Sequence, residues 1–93
     1  MKIYQSRSFE KKTKKISKAE KALLDEEIRK IAADPSIGVE KKGDLRGIFL
    51  HKFKIKTTEH LLAYRILGED LELIMLGPHE NYYRDLKNYL KSQ

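Results

Sequence analysis

Cysteine and tryptophan are absent from this chain of 93 residues, and only two prolines occur. Without cysteine the chain has neither a disulfide framework nor a cysteine-based zinc site. No apolar run approaches the roughly 18 residues that a membrane span needs, and the first residues, Met1 to Gln5, lack the apolar stretch of a signal peptide. We therefore expect one cytoplasmic domain over residues 1–93, with no metal, no cofactor and no membrane partner.

Positive charge is in excess. Twenty Lys and Arg stand against fourteen Asp and Glu, which gives a net charge of +6 and favours a polyanionic partner, either nucleic acid or an acidic protein. Residues 7–21 hold seven basic residues against two acidic ones, and residues 46–65 hold five against one. The rest of the chain is slightly acidic, so the basic character is confined to these two segments.

The first third of the chain is predicted to form a strand and two helices. Residues 1–5 alternate as a strand does, and residues 8–16 place apolar side chains at helical spacing. Ser17 and Glu20 have the spacing of a capping box, which starts a second helix, and Pro35 ends it. We expect the two helices to form an antiparallel hairpin.

The remainder is predicted to form a loop, three strands and a helix. Residues 36–47 are glycine-rich and charged, as loops are, whereas Ile48 to Lys56 alternates strictly. Further strands are predicted at residues 60–67 and 71–76, with a C-terminal helix from Glu80. Because consecutive strands joined by short turns pair antiparallel, we expect an α+β fold in which the helical hairpin covers one face of a twisted antiparallel meander.

Four short motifs lie in order on these elements. They are Asp44-Leu45-Arg46-Gly47, Phe53-Lys54-Ile55-Lys56, Leu62-Ala63-Tyr64-Arg65 and Gly77-Pro78-His79-Glu80-Asn81-Tyr82-Tyr83. Together they resemble motifs of the RelE/ParE family of bacterial toxins from type II toxin-antitoxin systems, over nearly the whole chain. The resemblance implies the toxin fold of that family and a cognate antitoxin protein, held in a toxin-antitoxin hetero-oligomer.

The resemblance leaves the activity open between two kinds of toxin. RelE-like and YafQ-like members cut messenger RNA on the ribosome, whereas ParE-like members inhibit DNA gyrase without chemistry. A nucleic-acid-binding module without a toxic role is a third interpretation. We expect a ribosome-dependent messenger RNA endonuclease, with the ribosome and messenger RNA as partners, because the chain holds residues that a gyrase inhibitor has no need to assemble.

Metal-independent RNA cleavage needs a general base, a general acid and cations at the phosphate. The resemblance assigns Lys54 and Lys56 to phosphate binding, and an imidazole such as that of His79 exchanges protons near neutral pH. Tyr83, one helical turn later, could stack on an unpaired base. These four are the expected catalytic residues. Further RNA contacts are expected from Arg46, Lys52, Glu59, His60, Arg65 and Arg84.

Each of these residues also has a structural interpretation. The lysines of Ile48 to Lys56, expected to form a ladder on one strand face, are also typical of a solvated sheet surface. His79 could cap the final helix, and at least one of Tyr82 and Tyr83 is expected in the core. His51 alternates with two phenylalanines and is predicted to be structural.

Two positions depart from RelE. Leu61 stands where RelE has an arginine, and Asp85 stands where it has a tyrosine, so the histidine-centred YafQ variant is the better match. The lysines of the first helices are expected on an outer surface, away from His79.

Overall fold

Five strands, three α-helices and two short 3-10 helices, Pro35–Ile37 and Gly43–Leu45, follow one another along residues 1–92, the part of the chain that this computed structural model describes. The strands are β1 (Ile3–Gln5), β2 (Val39–Glu40), β3 (Ile48–Ile55), β4 (Thr58–Leu67) and β5 (Asp70–Pro78). The helices are α1 (Arg7–Thr13), α2 (Lys18–Ala33) and α3 (Tyr82–Lys91). This order confirms the predicted α+β class.

The strands form one sheet in the order β1-β5-β4-β3-β2. The predicted antiparallel meander is confirmed for β3, β4 and β5. The N-terminal strand β1, whose partner the sequence did not predict, pairs parallel to β5. The predicted loop at residues 36–47 also contains β2, which pairs with β3. Two residues are too short a strand to show a period in the sequence, so β2 exists only through this pairing.

β5 is longer than predicted, since it continues through Gly77 to Pro78. β1 pairs only with Leu71–Leu73, so the last residues of β5 have no strand on that side. Proline lacks the N–H that a second neighbouring strand would need, and it is tolerated at such an unpaired edge. The open edge of β5 is therefore compatible with Pro78 in the strand.

Side-chain caps set where the first two helices begin. The Ser6 hydroxyl oxygen accepts from the N–H of Phe9, 3.1 Å away, so α1 starts one residue earlier than predicted and ends at Thr13. Ser17 and Glu20 form the predicted capping box. The hydrogen bonds from Ser17 hold the pKa of Glu20 below its usual value.

Apolar side chains form a core on each face of the sheet. Phe9, Leu24 and Ile31 bring α1 and α2 onto one face, where they pack against β3, β4 and β5. Tyr82 and Leu86 bring α3 onto the opposite face, a second layer that the sequence did not predict. Both faces of the central strand β4 are covered, in agreement with its nearly continuous apolar sequence.

His51 is structural, as predicted. Its side chain is half-buried on the α2 side of β3, with Nε2 2.8 Å from Oε1 of Glu27, and its ring stacks on Phe53. Burial raises the pKa of Glu27, but the hydrogen bonds from Lys30 and His51 outweigh it and leave that pKa below its usual value. This pair joins α2 to the sheet.

No helix within residues 1–92 has the length and apolar character needed to cross a membrane.

Candidate functional site

Three adjacent strands bring predicted site residues to one end of the sheet. Lys54 on β3 pairs with Glu59 on β4, and His60 pairs with Pro78, the residue before His79. Neighbouring strands lie about 4.8 Å apart, so the backbones of the first and third strands are about 10 Å apart at this end. Lys54, Glu59 and His79 therefore border one surface, which we call the candidate site.

The lysines of β3 differ in their ion pairs. Lys52 and Lys54 lie on the face of β3 that α3 partly covers, and both are exposed. Lys52 Nζ is 4.0 Å from Oε1 of Glu59. Such an exposed ion pair contributes little to the stability of the fold. Lys54 makes no ion pair within residues 1–92. Its charge is thus available to an external anion.

His79 and Tyr83 meet at the start of α3. Asn81 adopts a left-handed conformation with φ of 59°, which turns the chain from β5 into the helix and which asparagine tolerates better than most residues. The exposed His79 ring contacts the Tyr83 ring edge-to-face, with centroids 6.0 Å apart. An exposed imidazole thus lies beside a half-exposed aromatic ring.

Lys41 is a site residue that the sequence did not indicate. Its Nζ lies 5.3 Å from the centroid of the Tyr83 ring, a cation–π geometry. Lys41 follows β2, and its N–H donates to the carbonyl of Ile48. The position depends on the pairing of β2 with β3, so no local sequence signal could have found it.

Of the two tyrosines, Tyr82 is core and Tyr83 is not. Tyr82 is 2 % exposed, and its hydroxyl donates to the Met75 carbonyl over 2.6 Å. Burial raises the pKa of Tyr82, so its hydroxyl remains a donor. The expectation that at least one of the two is core is confirmed.

Lys56 does not lie on the lysine face, so the predicted three-lysine ladder is wrong. β3 ends at Ile55, and Lys56 has φ of 59° in the two-residue turn before β4. A two-residue hairpin turn takes such positive φ values. The pKa of Glu20 at the start of α2 is lowered chiefly by its hydrogen bonds to Ser17, and the charge of Lys56 adds to this lowering.

His60 also lies on the helical side, contrary to its expected place beside the lysines. It pairs with Phe53, and the two rings stack with centroids 6.2 Å apart. Its Nδ1 is 3.0 Å from the Thr58 carbonyl oxygen. Successive residues of a strand face opposite sides, so Glu59 reaches the candidate site and His60 does not.

Arg46 and Arg65 lie at the far end of the sheet from the candidate site, whereas Arg84 follows Tyr83 on α3. Arg65 pairs with Ile48, six residues and about 20 Å along β3 from Lys54, and its Nε is 3.1 Å from Oε1 of Glu72. Arg46 is exposed just before β3, at that same far end. Arg84 is exposed on α3, with its Nε 3.6 Å from Oδ1 of Asp85.

The contacts form two sets: strand pairing and an ion pair join Lys52, Lys54 and Glu59, and ring contacts join His79, Tyr83 and Lys41. Within residues 1–92, no three His, Cys, Asp or Glu side chains are arranged to hold a metal ion.

Residues 3–87 match the family described as ParE-like toxin of type II bacterial toxin-antitoxin system. The chain belongs to this family. Two crystal structures of E. coli proteins share the fold of this chain. The intact RelBE toxin-antitoxin complex matches with a TM-score of 0.67 and 17% identity, over 85% of this chain and 96% of that one. The isolated RelE toxin matches with a TM-score of 0.65 and 17% identity, over 95% of this chain and 97% of that one.

No curated protein matches this chain. The family predicted from the four motifs is confirmed, and so is the RelE-like fold.

Proposed function

We propose that this toxin is a ribosome-dependent messenger RNA endonuclease that inhibits translation by metal-independent cleavage. The observation that carries the proposal is the exposed His79 beside Tyr83, at the sheet end that also presents Lys54 and Glu59. A proton-exchanging group, a carboxylate, a free cation and an aromatic surface are the parts that such cleavage uses.

In the proposed reaction the ribose 2′-hydroxyl attacks the adjacent phosphorus. The bond from the 2′-oxygen to phosphorus forms, and the bond from phosphorus to the 5′-oxygen breaks, leaving a 2′,3′-cyclic phosphate and a 5′-hydroxyl. Glu59 accepts the 2′ proton, and His79 donates a proton to the 5′-oxygen.

The remaining residues bind and orient the message. Lys54 and Lys52 neutralise the charge that develops on the phosphoryl oxygens. The half-exposed ring of Tyr83 stacks on an unpaired base, and Lys41 and His79 hold that ring in place from two sides.

The proposed partners are the ribosome with its messenger RNA and a cognate antitoxin. The family name places the toxin in a type II toxin-antitoxin system, and a structural neighbour is a complex of toxin and antitoxin. We infer that the antitoxin forms a hetero-oligomer with this chain in the cytoplasm and keeps it inactive.

The alternative is inhibition of DNA gyrase without chemistry, which the ParE-like family description favours. To separate the two, purified toxin is added to ribosomes programmed with a defined message, and the cut sites are mapped. We expect cuts on the ribosome that leave cyclic-phosphate ends, in the presence of EDTA at a level that ribosomes tolerate. An uncut message together with blocked gyrase supercoiling would contradict the nuclease proposal.

Lys54→Ala is expected to weaken binding to single-stranded RNA at least threefold, a loss of about 0.7 kcal/mol. It should also reduce the slope of log affinity against log salt by about 0.7, because one phosphate contact is lost. Fluorescence anisotropy with a labelled 2′-O-methyl RNA, titrated across KCl concentrations, measures both quantities.

Lys56→Ala is the matched control, since it removes the same charge two residues away but from the turn. Its affinity and salt slope should stay near those of the parent. Equal losses in the two variants would show that Lys54 acts only through the general charge of the protein.

A further inference from the structure

An open groove of about 540 Å³ runs along the edge of β5 that β1 leaves uncovered. Its floor is the end of β5, from Met75 to Pro78, and one wall is formed by the start of α3. The other wall is α1 with the turn that follows it, which contributes four cations: Arg7, Lys11, Lys12 and Lys15. The groove lies outside the candidate site but ends at Pro78, the residue before His79.

These cations correct an expectation from the sequence. The lysines of the first helices were expected on an outer surface away from His79, but three of them line a groove that reaches its neighbour Pro78. α1 packs against β5, and this tertiary contact carries the lysines to the sheet edge. Lys11, Lys12 and Lys15 thus lie beside the end of β5 that His79 follows.

The four cations have no anionic partner within the chain as described. None of them forms an ion pair within residues 1–92. The groove also contains Glu80 and Asp85, and Asp85 is near Arg84. Four cations against two carboxylates leave the groove with a positive field that attracts polyanions.

The spacing of the cations suits a chain of phosphates. Arg7 and Lys11 are four residues apart on α1, a rise of about 6 Å, and Lys15 continues the series in the following turn. On the opposite wall the ring of Tyr82 is buried, and the half-buried side chain of Tyr89 is the aromatic group at the surface. A row of cations beside an accessible aromatic side chain is a combination by which proteins bind single-stranded nucleic acid.

We propose that the groove binds the single-stranded message next to the scissile phosphate. The assignment of a scissile phosphate to His79 rests on the proposed function, whereas single-strand binding by the groove does not. An RNA strand with one phosphate at His79 continues along Pro78 and Gly77 into the groove, where the backbone phosphates contact Arg7, Lys11 and Lys15. The groove therefore extends the binding surface beyond the reacting nucleotides.

The test measures binding of a labelled single-stranded 2′-O-methyl RNA of about 12 nucleotides. This length is within the range of nucleotides that single-strand-binding grooves cover. In the triple variant Arg7→Ala/Lys11→Ala/Lys15→Ala, affinity should fall about 10- to 100-fold near 0.1 M KCl. The salt slope should fall by about 2, because three phosphate contacts of about 0.7 each are lost.

The control variant is Lys14→Ala/Lys18→Ala/Arg29→Ala, which removes the same charges from exposed positions that do not line the groove. It should bind within about twofold of the parent, since distant exposed charges are largely screened at this salt concentration. Thermal unfolding confirms that both variants fold. Parental affinity in the groove variant, or equal losses in the two variants, would overturn the proposal.

The other class of occupant is an acidic peptide, probed with labelled poly-glutamate. If the groove variant loses this peptide but keeps its RNA affinity, the groove belongs to a protein partner and the proposal fails. The outcomes also separate the two proposals. If the toxin binds RNA through the groove but leaves the message on programmed ribosomes uncut, the nuclease proposal alone is refuted. If the toxin cuts the message but the groove variant binds RNA with parental affinity, the groove proposal alone is refuted.

Discussion

His79→Ala is expected to lower the rate of ribosome-dependent cleavage by about 10²- to 10⁴-fold, the usual contribution of one general acid or base. His79 is exposed and follows the last strand, so its removal leaves no cavity and the protein should remain folded. The single-turnover cleavage rate on programmed ribosomes measures the chemical effect. Thermal unfolding of the same preparation measures stability.

His60→Ala provides the matched control. It removes an imidazole from the same end of the sheet, but from the face that α1 and α2 cover. Cleavage by this variant should stay within a few-fold of the parental rate. Parental cleavage by His79→Ala would remove His79 from the mechanism, and equal losses in both variants would indicate an effect on folding or binding instead of proton transfer.

Tyr82→Ala is expected to destabilise the protein by about 3–5 kcal/mol, as truncation of large buried rings does. The Tyr82 ring packs over Gly77, 3.5 Å from where a Cβ on that residue would be, and it belongs to the core beneath α3. Tyr82→Phe should cost only about 1 kcal/mol, because it keeps the ring and loses the bond to Met75. Urea denaturation followed by circular dichroism measures both losses.

Tyr83→Ala tests the contrast between neighbouring tyrosines. Tyr83 is half-exposed and contacts His79 and Lys41, so its truncation should cost under about 1.5 kcal/mol but reduce cleavage. A stability loss as large as that of Tyr82→Ala would place Tyr83 in the core and contradict its proposed contact with RNA.

Much of the fold was predictable because local patterns determine it. The alternation from Ile48 onward identified β3 and its two faces, since adjacent side chains of a strand must point to opposite sides. Ser17 and Glu20 marked the start of α2, because a helix end needs side chains for its unpaired N–H groups. Short turns implied that β3, β4 and β5 pair antiparallel.

Alternation could not show where β3 ends. Lys56 continues the pattern, but the two-residue turn requires positive φ there and removes it from the strand face. The start of β4 at Thr58 then sets the register, which places Glu59 opposite Lys54 and directs His60 to the helical side. A register shift of one residue would exchange these two side chains.

By itself the sequence determined the α+β class, the family, the sheet meander and the face that carries Lys52 and Lys54. Tertiary structure alone decided the parallel pairing of β1, the strand β2 that positions Lys41, and the packing of α1 that brings Lys11 and Lys15 beside β5. The physical reason is the separation along the chain between the residues in contact. Residue spacing predicts contacts within one element or across a short turn, whereas contacts between distant segments depend on how whole elements bury their apolar faces.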